Sequence, residues 1–180
     1  MFQALPESMS NPRETVHYFM DLAIIPFESQ YAHRFRDLNL EWVEKYFRVE
    51  EKDREMLEHC EKNIIAPGGA IFFARYCGNI VGCFAFIPLG QKVFELGKMA
   101  VSHEFQGLRI GQELLKFAIA HGQARNWDKI VLYSNTKLDS ALHIYRKFGF
   151  REVDIEKDVP YVRSNIKMEL ILKKNLKYTI

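Results

Sequence analysis

The residues best placed to do chemistry fall between positions 94 and 117, FELGKMAVSHEFQGLRIGQELLKF. An extended apolar run ends in Met99-Ala100-Val101, a polar loop follows, and a helix then begins with Leu114, Leu115 and Ala118 along one side. A strand, a Gly-bearing turn and a helix start bring several backbone N–H groups together, and the helix dipole adds partial positive charge. The guest such a cradle expects is a phosphate or pyrophosphate. Spacing excludes the better-known loops: neither Gly-Lys-Ser/Thr after a four-residue gap nor G-x-G-x-x-G occurs. A second stretch, residues 133–150, closes with Tyr145-Arg146-Lys147-Phe148-Gly149-Phe150. Gly149 is what a helix C-terminus asks for, since it tolerates the left-handed conformation. Phe148 and Phe150 then pack on either side of the turn.

The elements that must hold these residues can be read in order. Residues 1–14 carry Pro6, Pro12 and small polar residues and read as a loose arm, leaving 15–180 as one domain. Residues 15–25 alternate as a first strand, ended by Pro26. Between 29 and 47, Tyr31, Phe35, Leu38 and Trp42 recur three or four apart as one helical stripe. A second helix spans about 52–63 behind an acidic opening. After Pro67-Gly68-Gly69 the chain turns to sheet: residues 70–76 and 80–87 form a hairpin about Gly78-Asn79. Pro88 and Gly90 turn it into a strand over 92–101. A helix over about 109–125, a strand over 129–133, a helix over 138–147, a strand opening at Phe150 and a last strand over 165–172 complete a mixed α+β sheet. It is parallel only where helices intervene.

Composition limits the function classes. A chain of 180 residues with 48% hydrophobic content buries one good core. The net charge of +2 comes without a basic, aromatic-interleaved stripe, so nucleic acid is not a favoured partner. Cys60, Cys77 and Cys83 are odd in number and lack C-x-x-C spacing, which speaks against a disulfide framework and a zinc site. The histidines are scattered without metal spacing, so no metal is expected. No apolar run spans a bilayer and the start lacks the order of a signal peptide, so no membrane association and a cytoplasmic location are the default.

The Gln106-Gly107-Leu108-Arg109-Ile110-Gly111 string resembles the acetyl-CoA loop of the GNAT superfamily of N-acetyltransferases, written Q/R-x-x-G-x-G/A. Gln106 and Gly111 match its ends. Arg109 stands at the inner glycine, a departure that backbone contacts tolerate provided the turn does not demand positive φ there; its charge could also add to phosphate binding. The Tyr145-to-Phe150 ending resembles the same superfamily's closing motif. Together they cover about residues 16–172 and imply the GNAT acyl-CoA N-acyltransferase fold: a mostly antiparallel twisted sheet of about seven strands with four helices, splayed between strands four and five.

That resemblance implies acetyl-CoA as co-substrate. Its pantetheine would bond to strand backbone in the splay, held by Ala100 and Val101, with the Met99 N–H at the thioester carbonyl. Gln106, Gly107, Leu108, Arg109, Ile110, Gly111 and Gln112 would carry the phosphates. Asn135 would bond the pantetheine or serve as a turn residue; Ala141 and Ile144 would touch the cofactor or simply pack the core. Glu95 stands where several members keep a proton-removing glutamate. As residues 95, 97, 99 and 101 share a strand face, it would project on the side of the site, and an apolar cleft would raise its pKa. The plain alternatives are a solvated glutamate or an ion-pair partner of Lys98 or Arg75, with His103, Glu104 or bulk water as base. Tyr145, protonated at neutral pH, would donate to the departing thiolate or else be a core tyrosine with its hydroxyl at the rim.

The resemblance further implies a small-molecule or peptide amine as acceptor, in a pocket walled by the first two helices and neighbouring loops, here Tyr31, Arg34, Trp42, Tyr46 and Phe47 among others. Trp42 and Phe35 read as core, and Glu41, Glu44, Glu50 and Glu51 as a solvated helix face. The pattern admits a homodimer. The reading is an N-acetyltransferase working in a ternary complex; an idle acetyl-CoA-binding module is the alternative. An unrelated nucleotide binder lacks its glycines.

Overall fold

The computed structural model describes residues 21–159 and 161–172. The expected N-terminal arm and the first part of the expected first strand lie outside the described residues. Within them, β1 (Leu22–Pro26), β2 (Ala70–Tyr76), β3 (Asn79–Gly90), β4 (Val93–Val101), β5 (Lys129–Ser134), β6 (Arg151–Val153) and β7 (Ile166–Ile171) form one sheet. Its order is β1-β2-β3-β4-β5-β7-β6. All neighbours are antiparallel except β4 and β5, which a helix connects. Pro26, expected to stop the first strand, is its last residue; at an edge strand its missing N–H costs no ladder bond.

Helices cover both faces. On one side lie α1 (Ala32–Tyr46) and α2 (Glu51–Glu58), on the other α3 (Ile110–Ala124) and α4 (Asp139–Lys147). The first pair buries Phe35, Leu38 and Leu57 against Phe73, Cys83 and Ala85. The second buries Leu114, Leu115, Ala118 and Leu142 with Phe84, Phe86, Ile130 and Met168. Strands covered on both faces read as near-continuous apolar runs, as β3 does. The expected second helix is broken at His59: its last part is a wide turn, Glu61–Ile65, where the Asn63 side chain donates to the Glu55 carbonyl.

The β2–β3 turn is Cys77-Gly78, one residue earlier than expected, with φ of 47° and 80°. Two positive φ values give a hairpin turn whose twist matches its strands. β3 runs on through Pro88, where its register is irregular, and the chain reverses just after it. No helix among the described residues is long and apolar enough to cross a membrane.

The sheet carries an irregularity in β4. Ala85 pairs with Gly97 but Cys83 pairs with Ala100, so Lys98 and Met99 together oppose Phe84. This is a β-bulge, with Lys98 at φ 52°. A bulge bends its strand and increases the local twist. β4 pairs with β5 only at Val93, Phe94 and Glu95, although both strands continue. β5 meanwhile stays paired with β7 along its whole length, so past Glu95 the sheet parts into a V.

Candidate active site

The V is where the sequence-predicted residues gather. A cavity of about 160 Å³ runs along its β4 side, lined by Met99, Ala100, Val101, Gln106, Gly111, Ala141, Ile144 and Tyr145, together with Trp42 and Leu115. A second cavity of about 100 Å³ adjoins it, sharing Trp42, Met99, Ala141 and Tyr145, and reaches inward to Glu95 and Lys98. Asn135 lies on this second cavity. Its Nδ2 donates to the Arg163 carbonyl at 2.6 Å and its Oδ1 accepts from the Lys137 N–H at 2.8 Å, so its amide shapes the turn.

At the mouth of the groove, the backbone N–H groups of residues 107–111 have no protein acceptor among the described residues. The next two, on Gln112 and Glu113, both donate to the Arg109 carbonyl and open α3. Five N–H groups without an acceptor among the described residues, gathered at a helix N-terminus, have the chemistry to hold an anion. Gly107 (φ 85°) and Arg109 (φ 59°) both adopt the left-handed conformation that bends the loop. The turn therefore does demand positive φ at the residue standing for the inner glycine, contrary to the condition set from sequence, and Arg109 bears that strain with an exposed side chain. Leu108 and Ile110 face the core and anchor the loop from beneath. Gln106 reaches back to the Val101 carbonyl at 3.3 Å.

The bulge overturns one expectation. Alternation does not carry through Lys98 and Met99, so Glu95, Gly97 and Ala100 lie on the α1–α2 face while Leu96 and Val101 lie on the α3 face. Glu95 and Met99 still meet at the inner cavity, because it sits at the apex of the V, where the sheet has no fifth-strand neighbour to separate its faces.

Glu95 is 4% exposed. No hydrogen bond or ion pair to its carboxylate is found among the described residues, and burial raises its pKa, opposed by the charges of Lys98 and Lys52. Room for it comes from Gly97: a Cβ there would stand 2.8 Å from Glu95 Oε1. Neither Lys98 nor Arg75 pairs with it. Lys98 Nζ reaches Asp53 Oδ1 at 2.8 Å, with both side chains buried. Arg163 grips Asp53 at 2.6 and 2.9 Å and Glu50 at 3.0 Å. The Tyr161 ring takes Lys98 and Arg163 on its π-system at 4.4 and 4.6 Å. Tyr145 projects from α4 into both cavities with its hydroxyl free of protein partners among the described residues. Desolvation pushes that phenol up to about 12, so it holds its proton at neutral pH.

Of the residues expected to wall an acceptor, Trp42 and Phe47 line the inner cavity. Tyr31 packs on Phe73, Arg34 caps the Ile80 carbonyl and Tyr46 stacks outside Trp42. Trp42, expected in the core, is partly buried against the Phe35 cluster and also lines both cavities, whereas Phe35 is fully buried. Glu50 is no solvated face residue but Arg163's partner. Lys98, considered from sequence only as a partner of Glu95, pairs with Asp53 instead, and Asp53, Tyr161 and Arg163 escaped the sequence reading. The signals that could have found them are Tyr161-x-Arg163 just ahead of the last strand and a carboxylate three residues after Glu50 at a helix start.

The fold has close counterparts. An acetyltransferase of the GNAT family from Staphylococcus aureus Mu50 superposes with a TM-score of 0.75 at 28% identity, over 84% of this chain and 99% of that one. A GNAT family acetyltransferase from Elizabethkingia anophelis, solved with acetyl-CoA bound, superposes at 0.65 and 23% identity, over 84% and 99%. An uncharacterized N-acetyltransferase of Dictyostelium discoideum is 38% identical over 63 residues, 35% of this chain and 29% of that protein, so the match spans under a third of that relative's length. The fold is thus that of GNAT family acetyltransferases. The sequence profile of the Acetyltransferase (GNAT) family matches residues 36–150, and the chain belongs to that family.

Proposed function

We propose that the protein moves an acetyl group from acetyl-CoA to a primary amine, directly, with both bound at once. The observation that carries this reading is the run of five unpaired N–H groups at one end of a groove whose other end opens on Glu95, Met99 and Tyr145. The cofactor supplies an acyl group activated as a thioester. Residues 107–111 hold its phosphates, and the edge of β4 past Glu95 offers backbone to the extended arm as a further strand would. Met99, left without a β3 partner by the bulge, offers its N–H where oxygen gains negative charge. Glu95 removes the proton that the attacking nitrogen must lose, and Tyr145 returns one to the departing sulfur. Trp42, which lines both cavities, helps to hold amine and thioester side by side.

The test is thiol release from acetyl-CoA with a panel of amines. Tyr145→Phe should lower kcat by roughly 10²-fold or more while leaving the acetyl-CoA Kd within about twofold, as loss of a general acid does. Unchanged kcat removes Tyr145 from that role. Acetyl-CoA binding without thiol release from any amine supports the idle binding module instead.

A further inference from the structure

The inner cavity has an uneven distribution of charge. Two cations, Lys98 and Arg163, and one carboxylate, Glu95, line it. Both cations are already answered from behind: Asp53 takes Lys98 and two bonds from Arg163, and Glu50 takes a third. Two positive and two negative groups therefore cancel inside the protein, at distances of 2.6–3.0 Å. Glu95 is left over, more than nine-tenths buried, facing the cavity with no hydrogen-bonding partner among the described residues. A buried carboxylate in that state calls for a cationic donor. The remaining walls add no charge, and Trp42, Val43, Phe47 and Leu138 make one side of them apolar.

Resting on the transferase reading above, we infer that the acceptor enters this pocket as a single ammonium on an uncharged apolar stem, with neither a second ammonium nor an acid group within reach of Lys98 and Arg163. A second ammonium would find no free carboxylate among the lining residues, because Asp53 and Glu50 are already engaged by Lys98 and Arg163. An acid group would meet the unpaired Glu95 and find both lining cations, Lys98 and Arg163, already engaged. A charged group that gives up its hydration without gaining a partner is disfavoured, and that is what discriminates against both. A free alkylamine and the side chain of a peptide lysine share the inferred chemistry.

Three four-carbon probes separate the cases: butylamine, 1,4-diaminobutane and 4-aminobutanoate. Each is assayed twice, for transfer by thiol release and for binding to the CoA-saturated protein by calorimetry. Butylamine should exceed both others at least about tenfold in kcat/KM and in affinity. Glu95→Gln should shrink the affinity preference to within about threefold, because the group that sets it is gone. Equal or better performance by the diamine or the amino acid overturns the inference, as does failure of butylamine to bind at about 10 mM. Should no probe release thiol, the transferase reading fails alone, and the calorimetric ranking still decides the acceptor chemistry. Transfer to Nα-acetyl-lysine methylamide as efficient as to butylamine assigns the pocket to peptide lysines; transfer to butylamine only assigns it to free amines. Both results keep the inference.

Discussion

Gly97→Ala isolates the placement of Glu95 from its chemistry. The added Cβ would lie 2.8 Å from Glu95 Oε1, 3.5 Å from Ile87 Cδ1 and 3.6 Å from Glu95 Cδ. Only the first contact is impossible, and the obstacle is the free end of a side chain rather than backbone. To reach an ordinary contact of about 3.4 Å the carboxylate must retreat by about 0.6 Å, the difference from 2.8 Å, since interiors are packed at van der Waals distance. The backbone is not strained, because Gly97 is an ordinary paired strand residue outside the left-handed region. Replacing glycine by alanine at a compatible position stabilises by about 0.4–1 kcal/mol through the unfolded chain. The variant should therefore melt at or slightly above the wild-type Tm and bind acetyl-CoA unchanged. Its kcat/KM for amine acetylation should fall roughly 10- to 100-fold, as sub-ångström misplacement of a reacting group does. A double-mutant cycle with Glu95→Gln sharpens this: once Glu95→Gln is in place, the alanine should cost nothing further. Wild-type kcat/KM in Gly97→Ala, or an equal loss with and without Glu95→Gln, would show that the position of Glu95 is irrelevant to turnover.

Two further outcomes follow from other features. Burial raises the Glu95 pKa above its ordinary value of 4.5, so the native state takes up a proton there more readily than the unfolded chain. Its favourable contribution is complete below pH 4.5 and is lost as pH rises through the native pKa. Glu95→Gln should thus be more stable than wild type at neutral pH, measured by urea melts, with the advantage vanishing in acid; a variant less stable at neutral pH would refute it. Arg109→Gly removes the strain of a side-chain-bearing residue at φ 59°. It should raise stability by about 0.5–1 kcal/mol while leaving the acetyl-CoA Kd within about threefold, since the cradle is backbone; a tenfold loss of affinity would show that the guanidinium itself binds.

The signals read correctly from sequence were local ones. Gly149 at φ 92° ends α4 and Phe150 is buried behind it, as the helix-stop pattern requires. The hairpin β2–β3 follows from alternation around a turn, missed by one residue because Cys77 rather than Asn79 joins Gly78 in the left-handed conformation. The groups around Glu95 were not legible in that way. Lys98 meets Asp53 across 45 positions and Arg163 meets it across 110, so no window of sequence contains the network. A lysine in the left-handed conformation carries no compositional mark either, and the bulge it creates reversed the expected facing of Glu95 and Met99.

Sequence by itself determined the elements, the Gly-bearing loop between β4 and α3 and the tyrosine near the end of α4, because turn glycines, helix stripes and strand alternation are settled among neighbours within a few residues. Only the tertiary structure decided that the sheet parts beyond Glu95, that Trp42 lines two adjoining cavities, and that among the described residues two buried cations have partners while one carboxylate does not. Those facts depend on how bulge, twist and charge from distant segments are brought together, and a buried charge acquires its meaning only from what surrounds it.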